Sequence, residues 1–411
     1  MCEQPLPPAG RNSPESRVRL IAFYLPQFHP IPENDEWWGK GFTEWSNVAR
    51  AKPLFRGHNQ PRLPADLGFY DLRVPETRAS QAEMAQKCGI EGFCYWHYWF
   101  AGKRLLERPF DEVLKSGEPR FPFCLAWANQ TWTGIWHGAP DRVLIEQTYP
   151  GRRDYESHFY TVLDAFRDER YITVEGKHLF LIQYPDGIPE ARRFAECWRE
   201  LAAKSGLKGL YLIGVAGPSW DPHKHGFDGS VIDNPGVVLA KLHRYSGTYQ
   251  GRLRDRLTRT ARRHLRIGIF QRPTIYPYEQ VIRHGLPPLA TDFDQFPCVM
   301  PDWDNTPRSG INGVVFHGST PDTFRMGLSR AIEQVRHRRW PKRLLFVKSW
   351  NEWAEGNYLE PDQRFGRSYL EAIKQELADR PTEVARADAG DIAVVQRIWQ
   401  GEQRLSGKAR D

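Results

Sequence analysis

Six cysteines in 411 residues, none of them in a C-x-x-C pair, leave little material for a zinc site or a redox centre. Cys2, Cys88, Cys94, Cys124, Cys197 and Cys298 lie mostly inside apolar or helical runs, which is the pattern of buried free thiols in a reducing compartment. No apolar run reaches 18 residues, so no membrane-spanning helix is expected. Residues 1–17 hold prolines, acids and polar groups but no apolar signal region, and read as a loose tail on a cytoplasmic protein. No glycine-rich dinucleotide fingerprint follows the first apolar segment, and no repeat or low-complexity tract stands out. A mean hydropathy of −0.61 with 26% charged residues describes a soluble chain.

Charge is only modestly one-sided, with 57 basic against 50 acidic residues for a net +7. The basic residues cluster over 252–266 and again over 336–343. The first cluster reads either as a solvated helix face, the commoner meaning of such a run, or as a surface for peripheral contact with glycolipid, polysaccharide or membrane. Neither cluster carries a nucleic-acid motif, so no nucleic-acid partner is expected.

What the chain does have is an alternation of apolar strands and amphipathic helices. Strands are predicted at 19–25, 92–99, 122–128, 178–184, 210–215, 230–233, from 298, and at 344–349. Helices are predicted at 78–88, 105–116, 154–167, 189–204, 320–337 and 367–377, several of them closed by glycine. Residues 237–295 are expected to hold a helix or two and a crossover. Eight strand–helix units favour a (β/α)₈ TIM-type barrel over a doubly wound sheet. The expected organisation is a tail over 1–17, one catalytic domain over 18–380 with loops enlarged at the C-terminal ends of the strands, and a partly helical extension over 381–411, with a helix at 392–399.

The unusual residues gather where those strands end, which is where active sites of this fold lie. After the first strand come Tyr24, Gln27, His29, Trp37, Trp38, Glu44, Trp45 and Asn47. The second ends in Trp96, His97 and Tyr98, the third in Trp127 and Asn129, with Gln130, Trp132 and Trp136 beyond. The seventh ends in Asp302 and Trp303, the eighth in Asn351, Glu352, Trp353 and Glu355. Aromatic faces stack on sugar rings, and carboxylates, amides and imidazoles bond sugar hydroxyls, so the set points to a polysaccharide or oligosaccharide substrate. One such tryptophan alone is more often core.

Glu352 and Glu355 are three positions apart, so a helical turn would aim both to one side. Two carboxyls sharing a pocket cannot ionise equally easily, and glycosidic cleavage needs that inequality. The segment Asn351-Glu352-Trp353-Ala354-Glu355-Gly356, with Leu359-Glu360-Pro361, resembles the N-E-W-x-E-G…E-P motif of glycoside hydrolase family 99. More closely, the chain is similar to the WbsX group of glycosyltransferase or polysaccharide biosynthesis proteins. Tyr24-Leu25-Pro26-Gln27-Phe28-His29, Phe42-Thr43-Glu44-Trp45-Ser46-Asn47 and Pro301-Asp302-Trp303-Asp304-Asn305 carry that likeness.

The family 99 resemblance implies a (β/α)₈ barrel and retaining endo-α-mannosidase chemistry without an enzyme nucleophile. It implies that Glu352 deprotonates the sugar 2-hydroxyl, giving a 1,2-anhydro sugar, while Glu355 protonates the departing oxygen and later activates water. Ala354 stands where family 99 enzymes carry histidine, so the sugar is left open. The expected function is an α-glycoside hydrolase, with a surface-polysaccharide glycosyltransferase (O-antigen or capsule) and a non-catalytic carbohydrate-binding protein as the alternatives. Asp302-Trp303-Asp304 matches the D-x-D pattern of transferases, but no nucleotide-binding unit precedes it. No cofactor and no metal are expected, since His29, His58 and His97 have no ligand spacing. Glu360 reads as a brace for the loop or as a third carboxylate of the site.

Overall fold

The computed structural model describes residues 18–134, 139–232 and 272–378. The expected tail over 1–17, the extension over 381–411 with its helix, the basic cluster at 252–266, Trp136 and Cys2 lie outside these residues.

Eight apolar segments form the strands β1 (Arg19–Tyr24), β2 (Gly92–Phe100), β3 (Phe123–Trp127), β4 (Lys177–Ile182), β5 (Leu210–Val215), β6 (Gly229–Ile232), β7 (Asp294–Val299) and β8 (Leu344–Val347). Each pairs in parallel with the next. β8 then pairs in parallel with β1, setting Arg19 opposite Leu344 and Ala22 opposite Val347. The sheet therefore closes, and the molecule is a (β/α)₈ barrel. Near-continuous Val, Leu, Ile and Phe in these strands follows from closure, because helices cover the outer face and side chains fill the inner one.

Helices Pro75–Lys87, Arg108–Ser116, Arg152–Arg167, Ala191–Lys204, Tyr278–Gly285 and Pro321–Arg336 lie between strands, and Ser368–Ala378 follows β8. Local chemistry sets their ends. Pro75 and Pro321 occupy first-turn positions where no N–H is needed, and Thr320 and Thr323 form a reciprocal capping box. Ala191–Lys204 buries Phe194, Cys197, Trp198 and Leu201 on one stripe. Trp198 is fully buried and donates its indole N–H to the Tyr155 carbonyl at 3.0 Å, tying this helix to Arg152–Arg167.

Two expected helices start later in the chain. The aromatic run of β2 extends to Phe100, turns through Ala101 and Gly102 at positive φ, and returns as the antiparallel strand Lys103–Leu105. The helix expected from 105 therefore begins at Arg108. The helix expected from Pro189 begins at Ala191, after Glu190 in the left-handed region. Between β5 and β6 the described connection is a single 3₁₀ turn, Pro222–His225. In the second basic cluster Arg338 and Lys342 pair with Asp294, and Arg336 with Glu333. No helix among the described residues is long and apolar enough to cross a membrane.

Gly92 opens β2 where the chain before β3 passes against it. A methyl group added there would run into the Pro122 carbonyl oxygen and lie 2.8 Å from Ile172 Cδ1. Gly92→Ala is expected to destabilise the fold by about 1–3 kcal/mol, read as a lower midpoint in chemical denaturation.

Candidate active site

A cavity of about 390 Å³ opens at the C-terminal ends of the strands. Trp96 and Tyr98 of β2, Trp303 after β7, and Trp38, Phe42 and Trp132 from the loops are its aromatic lining. Gln27, Asn47, Gln130 and Gln183 supply amides. Glu44, Arg308, Lys348, Glu352 and Glu355 supply the charges.

The segment after β8 builds the floor. Asn351 acts as a piece of backbone: its Oδ1 accepts from Leu25 N–H at 2.8 Å and its Nδ2 donates to the Leu25 carbonyl at 3.0 Å. These two bonds continue the β8–β1 closure past the end of the ladder. Trp353–Glu355 then forms one 3₁₀ turn, which turns Glu352 and Glu355 into the same cavity. Gly356 ends the turn at φ +68°, a conformation that favours glycine. A Cβ there would also meet Asp304 N at 2.8 Å. Asp304 N–H donates to the Glu355 carbonyl at 2.7 Å, and Arg62 donates to the Gly356 carbonyl at 3.1 Å. Behind the turn, Trp353 stacks on Tyr358 with ring centres 3.8 Å apart and donates to Glu360 at 2.6 Å. Glu360 also accepts from Tyr70 and Gln81, and it is absent from the cavity wall, so it is a brace.

The two glutamates have unlike neighbours. Arg308 donates to Glu355 at 2.5 Å and to Glu44 at 2.6 Å. Glu44 sits in the first turn of the helix Glu44–Arg50, where the backbone dipole favours negative charge. Glu352 accepts a bond from Ser349 Oγ at 2.8 Å. Burial, then the charge of Glu355, pushes the Glu352 carboxyl up to about 7, opposed by Lys348 and Arg308. Three carboxyls and two cations share the cavity, so one proton among the carboxyls brings it to charge balance.

Of the residues read from sequence, Gln27, Trp38, Glu44, Asn47, Trp96, Tyr98, Gln130, Trp132, Trp303, Glu352 and Glu355 line this cavity. The other expected sugar contacts do not. Tyr24 is buried and donates to Gln81. His29 lies against the Pro26 carbonyl. Trp45 donates to the Tyr70 carbonyl and packs on Phe28 and Trp353. His97 and Trp127 alternate with inward residues and so face the helices; His97 Nε2 is 2.9 Å from His158 Nε2, and Trp127 donates to the Trp99 carbonyl. Asn129 holds the backbone of Tyr184 from both sides. Asp302 is ion-paired with Arg62 at 2.8 Å. Asn351 and Trp353 form the scaffold described above. These residues stand outside the cavity wall and bond or pack against other parts of the protein.

Arg308, Lys348, Gln183 and Phe42 were not singled out by sequence. Lys348 carried the clearest signal, a charge closing an apolar strand. Arg308 gave none, because it reaches the cavity only through the fold of the loop after β7. His58 and Gln60 bond Asp304 at 2.8 and 2.7 Å, so His29, His58 and His97 are engaged separately. Burial raises the Asp304 carboxyl, but His58, Arg62 and Thr306 outweigh it and hold it low.

The sequence signature described as Glycosyltransferase WbsX matches residues 20–373. Two proteins from strains of Xanthomonas campestris pv. campestris, each described as "Uncharacterized protein WxcX", are 38% identical to this chain over 387 residues. The match covers 92% of this chain and 52% of each relative, so the chain spans about half the length of the curated relatives it matches. Among solved structures, a "Glycoside hydrolase-like protein" superposes with a TM-score of 0.53 at 15% identity, covering 92% of this chain and 97% of the other, a likeness of fold. A GH99 endo-alpha-mannosidase from Bacteroides thetaiotaomicron, in complex with bis-tris-propane, has a TM-score of 0.49 at 16% identity, covering 87% and 96%.

Burial also raises the Glu360 carboxyl to about 7, against the bonds it accepts. With Glu352 and Glu360 both raised from 4.5, the folded chain binds more protons than the unfolded chain between about pH 4.5 and 7. Their contribution therefore makes stability fall as pH rises through that window. Glu360→Gln is expected to flatten part of this slope, as measured by urea unfolding at a series of pH values.

Proposed function

The chain belongs to the WbsX glycosyltransferase family, and we propose that it is a carbohydrate-active enzyme that cleaves an α-linked glycosidic bond with Glu352 and Glu355. One observation carries this reading: two glutamates on a single turn share an aromatic-walled cavity and stand in unlike electrostatic surroundings. Cleavage needs that inequality, because one carboxyl must give a proton while the other takes one. Trp96, Tyr98, Trp132 and Trp303 offer faces to sugar rings, and the amides of Gln27, Asn47, Gln130 and Gln183 suit hydroxyls.

The proposed course retains configuration. Ionised Glu352 takes the proton of the sugar 2-hydroxyl, and that oxygen closes on the anomeric carbon. The glycosidic bond breaks as Glu355 gives its proton to the departing oxygen. Water then opens the 1,2-anhydro sugar, with Glu355 taking a proton from the water and Glu352 returning one to the 2-oxygen. A base poised near neutrality suits the first step, which is where Glu352 stands. Glu355 must carry a proton in the first half, and Glu44 is then the partner that keeps Arg308 paired.

The family's description favours a second reading, a glycosyltransferase of surface-polysaccharide assembly that passes the sugar to an acceptor hydroxyl in place of water. That reading finds no support in Asp302-Trp303-Asp304, whose carboxylates are taken up by Arg62, His58, Gln60 and Thr306. The described cysteines are buried and unbridged, which suits the cytoplasm as the place of action.

The test is a panel of α-linked oligosaccharides incubated without nucleotide sugar. Release of reducing ends, with the α-anomer appearing first by ¹H NMR, is the expected result. Glu352→Gln and Glu355→Gln should each lower turnover roughly 10²–10⁴-fold while glycan binding, measured by calorimetry, persists. Turnover only when a nucleotide sugar is supplied would favour the transferase; binding without turnover would leave a lectin.

A further inference from the structure

β8 is apolar from Leu344 to Val347, and the residue that follows it is a lysine. Lys348 is only 7% exposed. Burying an ammonium group is unfavourable unless its surroundings offset the lost hydration. Here Nζ lies 5.9 Å from the centre of the Trp96 ring and 5.5 Å from that of Trp303, so two aromatic walls of the cavity flank the charge. The Lys348 N–H donates to the Val299 carbonyl at 2.9 Å, fixing the stem beside the end of β7. The next residue, Ser349, donates its hydroxyl to Glu352. A hydroxyl donor therefore holds the glutamate, and the cation next to that donor in the chain lines the same cavity.

We propose that Lys348 is a positioning residue whose charge, held between Trp96 and Trp303, limits the pH range over which Glu352 keeps its proton. Through Glu352 it limits the pH range of the glycosidic chemistry, and in that respect the inference rests on the function proposed above. Glu352 is faced by Lys348 and Ser349 from the end of β8, by Glu355 from its own turn, by Arg308 from the helix Thr306–Ser309, and by Tyr98 from β2. Glu44 stands behind Arg308. Burial and Glu355 drive Glu352 toward its neutral form, and Lys348 and Arg308 drive it toward its carboxylate. Arg308 is shared between two direct ion pairs with Glu44 and Glu355. Lys348 and Glu352 line the same cavity four positions apart, one on each side of Ser349.

The experiment is a pH titration of the full chain labelled with ¹³C at the glutamate carboxyls, followed by NMR. The Glu352 signal is identified by its loss in Glu352→Gln. In Lys348→Met the midpoint of Glu352 is expected to rise by about 1 pH unit or more, within the range a neighbouring opposite charge produces. Lys348→Arg, which keeps the charge, should hold the midpoint near that of the parent chain. Lys348→Gln carries the test if the methionine variant does not fold. A folded, charge-removing variant with an unmoved midpoint overturns the proposal. The titration uses no substrate, so it fails or succeeds independently of the glycan screen. Once a cleaved glycan is in hand, the acid limb of the kcat profile should move in the same direction as the midpoint.

Discussion

The two glutamates meet because the chain after β8 is clamped at both ends. Asn351 fastens its start to Leu25 through two bonds that imitate a strand pair, and Gly356 fits its end against Asp304 and Arg62. Between the clamps there is room for one tight turn and little else. Trp353, locked by Tyr358 and Glu360, fills the back of that turn, so the acidic side chains on either side of it are left to face the cavity. The polar groups that make this clamp are buried and bonded to one another, and buried polarity of that kind favours one geometry.

Charge is then distributed by loops from distant parts of the chain. Glu44 arrives on the long connection after β1, and Arg308 on the one after β7. Arg308 holds both Glu44 and Glu355, so neither glutamate is left as an uncompensated buried anion. Glu352 receives a hydroxyl from Ser349 and the field of Lys348. One turn therefore presents two carboxyls of different character, which is more than a pair of identical side chains provides on its own.

The barrel was legible in the sequence because its strands are apolar and its helices periodic, each bounded by proline, glycine or threonine caps. All eight strands were visible this way. The site was legible only in part. In β2 the whole aromatic run was read as a rim, although the two-residue period separates Trp96 and Tyr98, which face inward, from His97, which faces the helices. Applying that period to each strand end would also have turned Tyr24 and Trp127 away. Asp302 and Asn351 look like sugar ligands by type, and only tertiary contacts show that Arg62 and Leu25 have already taken them. Arg308 was illegible, since an arginine in a surface-rich loop carries no mark of the partner it will find.

The closing pair of the barrel, β1 with β8, joins the beginning of the described chain to its last quarter. A ribosome making roughly 5–20 residues per second takes on the order of 15–60 s to pass from one to the other. Once β2 has been made it can pair with one side of β1, while the other side stays an open edge, a template for pairing with a neighbouring nascent chain. Glu44 is translated early and waits as long for Arg308 and Glu355. The emerging polypeptide is therefore without a complete pocket until its final strand seats itself against the first.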